Sequence, residues 1–362
     1  MLDTGKVINV KYTINKWADI FYIERNVMQK TKSIKVIISV IITAAIFYLV
    51  QRLITVKDIA GIFGKIPAYS LVGGVMLYFL SYTFRSLRYG TLLNGKKIRL
   101  SDLINISFIH GFFNKVIPLR IGEASFVYLL GKRHGVAAEE SVSVIFLCRI
   151  YDTLICVIFL FFFSFFVTSI GSGSEGIRIL CVILVIMLLL SVVFIRRFIR
   201  IAAMCIDFIV SALPKKLGGP FAKVSGILST VSVYLKNITT KEIIIKTLLF
   251  SSLNWLSIFI FYYVLIKGMK YGVKFLEMCY GTALANLANI VPVSAFGGIG
   301  STDAGFAAGL ALTGKNMKQA LTVSISVSLF QLLCIILFSA IGYIGIKVSE
   351  PKGGKIQDQD LV

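Results

Sequence analysis

Two segments place an asparagine, a proline, a glycine and a carboxylate within a few residues of one another. Residues 114–123 read Asn-Lys-Val-Ile-Pro-Leu-Arg-Ile-Gly-Glu, and residues 289–303 read Asn-Ile-Val-Pro-Val-Ser-Ala-Phe-Gly-Gly-Ile-Gly-Ser-Thr-Asp. Proline removes a backbone hydrogen bond and glycine loosens a helix, so each segment leaves backbone polar groups without helical partners. Both lie in long apolar stretches, where open backbone is tolerated only if it is buried in protein or lines a wet cavity. The two breaks therefore predict a polar binding site inside a membrane domain, as in transporters built from two related halves.

Ionisable residues near the first break are the strongest candidates for that site. Arg120 and Glu123 follow Pro118. They could hold a phosphate through a bidentate arginine contact and balance its charge, or they could neutralise each other as a structural pair. Arg149 and Asp152 are spaced i, i+3 in an apolar segment, which allows either an intrahelical ion pair or a place in the site.

Polar and small residues complete the candidate site. Asn114 and Asn289 carry both donors and acceptors, and Gly297 and Gly298 resemble a phosphate-binding turn, although close helix packing explains glycines equally well. The predicted substrate-binding residues are Arg85, Arg88, Asn114, Arg120, Glu123, Arg149, Asp152, Asn289, Ser294, Gly297, Gly298 and Asp303. The chain has no metal-ligand spacing, nucleophile elbow or nucleotide-binding loop. We therefore expect no catalytic activity, no cofactor and no metal.

The composition predicts an all-α polytopic membrane protein. Hydrophobic residues make up 57% of the chain and charged residues only 15%, and the mean hydropathy is +0.86. Six stretches are long enough to span a bilayer. They are residues 34–54, 67–84, 141–168, 177–195, 243–266 and 321–346. The two broken segments, 101–132 and 275–313, are predicted to be re-entrant hairpins, with eight spanning helices as the alternative.

The order of these segments predicts an inverted repeat. Residues 67–168 and 243–346 each read as a span, a hairpin and a span, and they cross the membrane in opposite senses. They belong to one predicted transmembrane domain, residues 34–347, between a basic N-terminal segment, 1–33, and a tail, 348–362. An amphipathic connector, 196–241, joins the two units.

The net charge of +21 is distributed as in a membrane protein. Lysines and arginines concentrate in the N-terminal segment, after the second span and in the connector, whereas residues 169–175 contain none. The positive-inside rule then places both termini in the cytoplasm of a cell-membrane protein and argues against nucleic-acid binding. In this orientation the first hairpin enters from the cytoplasm and the second from outside. Lys267, Lys270 and Lys274 would lie on the outer side, against the rule.

Several of these motifs together resemble a known family. Residues 113–123, 149–152 and 289–300, with an Arg-x-x-Arg-aromatic motif at residues 85–89, are similar to the lysylphosphatidylglycerol synthase transmembrane-region family over roughly residues 33–347. The resemblance implies a flippase-like domain without the aminoacyl-transferase domain that follows it in some relatives. Asp303 departs from the family, which more often has Glu there.

The expected function is translocation between leaflets of an anionic phospholipid, an aminoacyl-phospholipid or a polyprenyl-phosphate-linked group. The partners would be membrane lipids with anionic headgroups, and a lipid synthase or glycosyltransferase is a further possible partner. Two alternatives stay open, a non-transporting scaffold for such a synthase and an intramembrane lipid-modifying enzyme. The sequence does not predict an oligomeric state.

Overall fold

The computed structural model describes residues 66–117, 122–166, 178–190, 240–289 and 300–349, with a few isolated positions between residues 61 and 238. The first predicted span, the N-terminal segment, most of the connector, the tail after residue 349 and the centres of both breaks lie outside these ranges. Candidate residues Arg120, Ser294, Gly297 and Gly298 are among those outside.

All regular elements in the described ranges are helices. They are α1 (Ala68–Leu92), α2 (Leu100–Val116), α3 (Glu123–His134), α4 (Ala138–Phe166), α5 (Arg178–Leu190), α6 (Lys241–Gly268), α7 (Phe275–Ala288), α8 (Ser301–Leu312) and α9 (Met317–Val348). By length and composition, α4, α6 and α9 are long and apolar enough to cross a membrane. Large apolar side chains such as Phe162 and Leu337 remain about half exposed on these helices. Such surfaces suit contact with lipid chains.

Helix α1 corrects one boundary of the sequence analysis. The predicted span stopped at residue 84, with Arg85 and Arg88 in the loop beyond it, but the helix continues to Leu92 and contains both arginines. The extension is stabilised by burial on one face, where Tyr82, Tyr89 and Leu92 are nearly inaccessible. A helix can continue through charged residues when its apolar face is still covered.

Local capping chemistry sets several helix ends. The Thr240 side chain accepts a hydrogen bond from the Ile243 N–H at 3.4 Å at the start of α6, and Asn316 accepts from the Gln319 N–H at 3.1 Å at the start of α9. These contacts satisfy amides that the first helical turn leaves without partners. Helix α3 is followed by Gly135, which caps its C-terminus with a left-handed φ of 61° that suits glycine.

Helices α2 and α3 form an antiparallel hairpin around the first break. Gly122, at the start of α3, packs on the end of α2 so closely that a Cβ there would lie 2.5 Å from the Asn114 backbone nitrogen. Farther along, the rings of His110 and Phe126 are 5.4 Å apart. At about 1.5 Å per residue, the 17 residues of α2 and the 12 of α3 are each too short to cross a 30 Å hydrocarbon layer.

Helices α7 and α8 form the second hairpin in the same manner. A Cβ at Gly309 would lie 2.7 Å from the Gly281 Cα, and one at Gly305 would lie 2.5 Å from the Ala288 Cβ. The contacts run in opposite directions along the two helices, so the helices are antiparallel. Gly300 precedes α8 with a φ of 152°, which other residues rarely adopt.

The two segments α1–α4 and α6–α9 pack in matching patterns. Helix α2 of the first segment packs on α9 of the second, and α7 of the second packs on α4 of the first. If α1, α2, α3 and α4 are taken as equivalent to α6, α7, α8 and α9, each remaining main contact among the described helices also has an equivalent. For example, the contact of α3 with α4 corresponds to that of α8 with α9. Helices α1 and α6, which lead the two segments, pack antiparallel, with Gly74 near Leu265 and Arg88 near Ser251.

Candidate functional site

A cavity of about 230 Å³ lies where the two hairpins approach the long helices. Both breaks contribute, since Asn114 lies in the last turn of α2 and Asn289 directly follows α7. Every long helix of both segments contributes as well, with a lining dominated by aromatic rings, amides and basic groups. The lining residues are Tyr78, Tyr82, Arg85, Gly111, Asn114, Lys115, Arg149, Asp152, Asn254, Trp255, Ile258, Tyr262, Thr282, Ala285, Asn286, Asn289, Thr302 and Gln331.

Arg88 and Asp152 form a buried ion pair beside the cavity. Arg88 is 1% exposed and donates through Nη1 to Asp152 Oδ1 and through Nη2 to Oδ2 at 3.0 Å. Its Nη1 also donates to Ser251 Oγ at 2.9 Å, and Trp255 Nε1 donates to Asp152 Oδ1 at 3.1 Å. The pair therefore joins α1, α4 and α6. Because bidentate arginine–carboxylate contacts fix geometry, this network holds three cavity walls in place.

Arg149 pairs with Glu123 and not with its helical neighbour Asp152. Arg149 Nε and Nη2 donate to Glu123 Oε1 at 3.1 and 2.7 Å, linking α4 to the start of α3. The intrahelical pair considered from the i, i+3 spacing is thus wrong, because each member has a better-placed partner on another helix. The considered pairing of Arg120 with Glu123 stays a prediction, because Arg120 is outside the described ranges; within them, Glu123 pairs with Arg149.

Arg85 and Lys115 give the cavity two cations that form no salt bridge with a carboxylate in the described ranges. Arg85 is half-buried, and its guanidinium lies 4.8 Å from the centre of the Tyr82 ring. Lys115 Nζ donates to the neutral amide oxygen of Gln331 at 3.0 Å. Among the described residues, four cations lie at or beside the cavity and three carboxylates lie near them, so the potential there is positive. The cations are Arg85, Arg88, Lys115 and Arg149, and the carboxylates are Glu123, Asp152 and Asp303.

Two cavity asparagines carry acceptor oxygens with no protein donor in the described ranges. Asn254 is 2% exposed and its Oδ1 is unpaired. Asn114 Nδ2 lies 3.0 Å from His110 Nε2, and Asn114 Oδ1 has no hydrogen-bond partner in the described ranges. An unpaired buried acceptor is costly unless a ligand or a water donates to it.

Asp303 lies outside the cavity lining and is fully engaged. It is 1% exposed, its Oδ1 accepts from Ser324 at 2.7 Å and Ser328 at 2.8 Å, and its Oδ2 accepts from the Gly300 N–H at 3.1 Å. The carboxylate caps the start of α8 and attaches the second hairpin to α9, so its contacts have a structural role.

The cavity thus gathers five of the residues predicted for the site, namely Arg85, Asn114, Arg149, Asp152 and Asn289. Arg88 and Glu123 lie behind it as partners of Asp152 and Arg149. Sequence reasoning missed Lys115, Asn254 and Gln331. Each is a polar residue in an apolar helix, and that rule alone could have identified all three.

These features define a class, the helical membrane proteins with two broken-helix hairpins around an internal polar cavity. The family model for the lysylphosphatidylglycerol synthase TM region matches residues 36–339 of this chain. The chain belongs to this family, which confirms the resemblance seen in the sequence motifs. No curated protein matches the chain.

Proposed function

We propose that this protein moves a lipid with an anionic headgroup between the leaflets of a cell membrane. The observation that carries the proposal is the cavity between the two breaks, in which Arg85 and Lys115 face a polar space and form no salt bridge with a carboxylate in the described ranges. A phosphate would supply the missing negative charge, while the acyl or prenyl chains remain in the bilayer. Because a charge in hydrocarbon costs several kcal/mol or more, a polar path of this kind would speed its crossing.

The helix packing supports an inverted repeat as the transport framework. The helix contacts of α1–α4 correspond to those of α6–α9 when the helices are paired in order, and the equivalent helices α1 and α6 are antiparallel. A two-fold axis that relates antiparallel helices lies in the membrane plane, which is the arrangement of many secondary transporters. With six full spans and two re-entrant hairpins, each break would be reached from one side of the membrane.

The charge distribution supports a cytoplasmic location for both termini. The ends of α1, α3 and α9 and the start of α6 would face the cytoplasm, where Arg133 on α3 donates to the Ile346 carbonyl oxygen on α9 at 2.9 Å. Lys315, which donates to the Gly272 carbonyl oxygen at 2.8 Å, would lie on the opposite side. Movement would be driven by the lipid's own gradient, an ion gradient or the membrane potential, and the protein would not act as an enzyme.

Reconstitution into liposomes tests the transport proposal. The purified protein should accelerate transbilayer movement of fluorescent phosphatidylglycerol, or of a polyprenyl-phosphate probe, without ATP, compared with protein-free liposomes. Leaflet-selective quenching of the fluorophore measures the rate. If neither probe moves faster than in protein-free liposomes, the transport proposal is wrong. Co-purification with a lipid synthase or glycosyltransferase would then support the scaffold alternative.

A further inference from the structure

Aromatic rings from α1, α2 and α9 form a wall between the cavity and the lipid-facing surface. The rings of this aromatic wall are those of Tyr78, Phe79, Tyr82, Phe108 and Phe338, and the ring centres in contact lie 4.9–6.5 Å apart. Tyr78 and Tyr82 line the cavity, whereas Phe79 is 45% exposed. Phe108 and Phe338 are buried between them. The aromatic wall therefore leads from the polar cavity to the surface that would face the bilayer.

The contacts within the aromatic wall can open without loss of a charged interaction. Ring contacts are individually weak and form again after side-chain rotation. In the described ranges no salt bridge joins α1 directly to α9. Helix α2 stays attached to both of them, because Ser107 Oγ lies 2.8 Å from Ser86 Oγ and Lys115 donates to Gln331 at 3.0 Å. Rotation of the rings, with the helices kept in place, is therefore enough to open a slot.

Another wall of the cavity is built differently. There Arg88 on α1 donates to Asp152 on α4 at 3.0 Å and to Ser251 on α6 at 2.9 Å. Separation of these helices would leave buried charges without partners, which is costly. Of these two walls, the aromatic wall is the one that opens more easily.

A lipid whose headgroup enters the cavity needs such an opening. At about 230 Å³ the cavity is smaller than the range of about 300–1,000 Å³ that is usual for ligand pockets, so it has no room for hydrocarbon chains as well. The chains must stay in an apolar environment, because their exposure to water or polar groups is unfavourable. Val72, Met76 and Phe79 are exposed along one face of α1, and they provide an apolar surface that ends at the aromatic wall.

We propose that the aromatic wall is a lateral portal, through which the hydrocarbon chains of the transported lipid pass while its headgroup occupies the cavity. Rotation of Phe108 and Phe338 opens the slot, and their return closes the cavity to the bilayer. The inference rests on the proposed function for the passage of a lipid, but it does not depend on which headgroup is carried.

A photoreactive lipid tests the portal in the wild-type protein. Phosphatidylglycerol with a diazirine in its acyl chain is irradiated in liposomes, and peptide mass spectrometry identifies the labelled residues. Phe108 should be labelled at about 1–10% of the level at the lipid-facing Phe162, because a minor open state of that population exposes it to the chains. Phe306, which is fully buried on α8, should not be labelled.

Phe338→Leu tests whether this ring closes the portal. Leucine is apolar but lacks the ring that contacts Phe108, so the labelling of Phe108 should rise several-fold. Phe163→Leu is the matched control, because this buried ring on α4 packs on Phe159 and Phe259 instead. It should leave the labelling of Phe108 unchanged. The wild-type comparison needs no variant, so a misfolded Phe338→Leu protein would still leave the portal tested.

Labelling of Phe108 no higher than that of Phe306 in the wild-type protein would overturn the portal. Equal labelling of Phe108 in the Phe338→Leu and Phe163→Leu proteins would also overturn it. Faster lipid movement in liposomes without labelled wall residues would overturn the portal and leave the transport proposal standing. Labelled wall residues without faster movement would remove the transport proposal and uphold the opening of the cavity to hydrocarbon chains at this wall.

Discussion

At the scale of single residues, the charged groups near the cavity divide into two roles. Arg88 and Asp152 are each other's partners, with the Arg88 side chain almost fully buried and that of Asp152 15% exposed, whereas Arg85 lines the cavity and forms no salt bridge in the described ranges. A buried pair contributes little net stability as a pair, but removal of one member leaves an uncompensated charge. The two arginines, three residues apart in α1, should therefore respond differently to substitution.

The Arg88–Asp152 pair gives a stability prediction. Arg88→Met and Asp152→Leu should each destabilise the protein by about 3–5 kcal/mol, and the double variant should recover most of the loss, because no charge is then left unpaired. Thermal unfolding in detergent measures the effect. Lys246→Met is the matched control, because its 2.6 Å pair with Glu242 is exposed on α6, and it should change stability little. A double variant as unstable as the sum of the singles would contradict this account.

Residue by residue, the sequence identified charged groups that lie at or beside the cavity, but it did not identify the ion-pair partners seen in the described ranges. Arg149 and Asp152 are recognisable as polar residues in an apolar segment, since that signal is local. Their partners are Glu123, 26 residues away, and Arg88, 64 residues away, and such distant pairings depend on how the helices pack. Asn254 and Gln331 are also polar residues in long apolar helices, and the sequence could mark each as a candidate. Only the packing of α6 and α9 shows that both line the same cavity.

At the scale of elements, each hairpin depends on glycines at its helix contact. The proline and glycine pattern predicted where the helices break, because the chemistry of these residues is local. It could not predict the close approach of α7 and α8, since that depends on Gly281 meeting Gly309 across the hairpin. The break positions were thus visible in the sequence, but the packing that holds each hairpin closed was not.

Gly309→Ala tests this contact. The added Cβ would lie 2.7 Å from the Gly281 Cα and would push α8 from α7. Overpacking of this kind costs about 1–3 kcal/mol, more than the gain of up to about 1 kcal/mol in helix propensity. We expect a lower melting temperature in detergent than for the wild-type protein.

Gly272→Ala is the control for this substitution, because a Cβ at Gly272 meets no atom within 4 Å. The melting temperature of the Gly272→Ala variant should equal that of the wild-type protein. Equal melting temperatures for the Gly309→Ala and Gly272→Ala variants would show that the two helices are not held in close contact.

At the scale of the whole molecule, the proposed inverted repeat makes a prediction about sidedness. Lys132, near the end of α3, and Lys318, near the start of α9, are both exposed. Single cysteines at these positions should react with an impermeant maleimide from opposite sides, Lys132→Cys from the cytoplasm and Lys318→Cys from outside. The exposed native Cys205 would be replaced first, as the other five cysteines are buried. Labelling of both positions from one side would exclude the inverted arrangement.

The central claim is that the cavity between the two breaks is the path of an anionic headgroup, and Arg85 tests it most directly. Two variants, Arg85→Gln in the cavity and the exposed Lys132→Gln outside it, each remove one positive charge. In liposomes of equal protein content, Arg85→Gln should slow the movement of the fluorescent anionic lipid about tenfold or more, because it removes a charged hydrogen bond to the headgroup. Lys132→Gln should keep the wild-type rate. An Arg85→Gln protein that moves the lipid as fast as the wild-type protein would show that the headgroup crosses elsewhere.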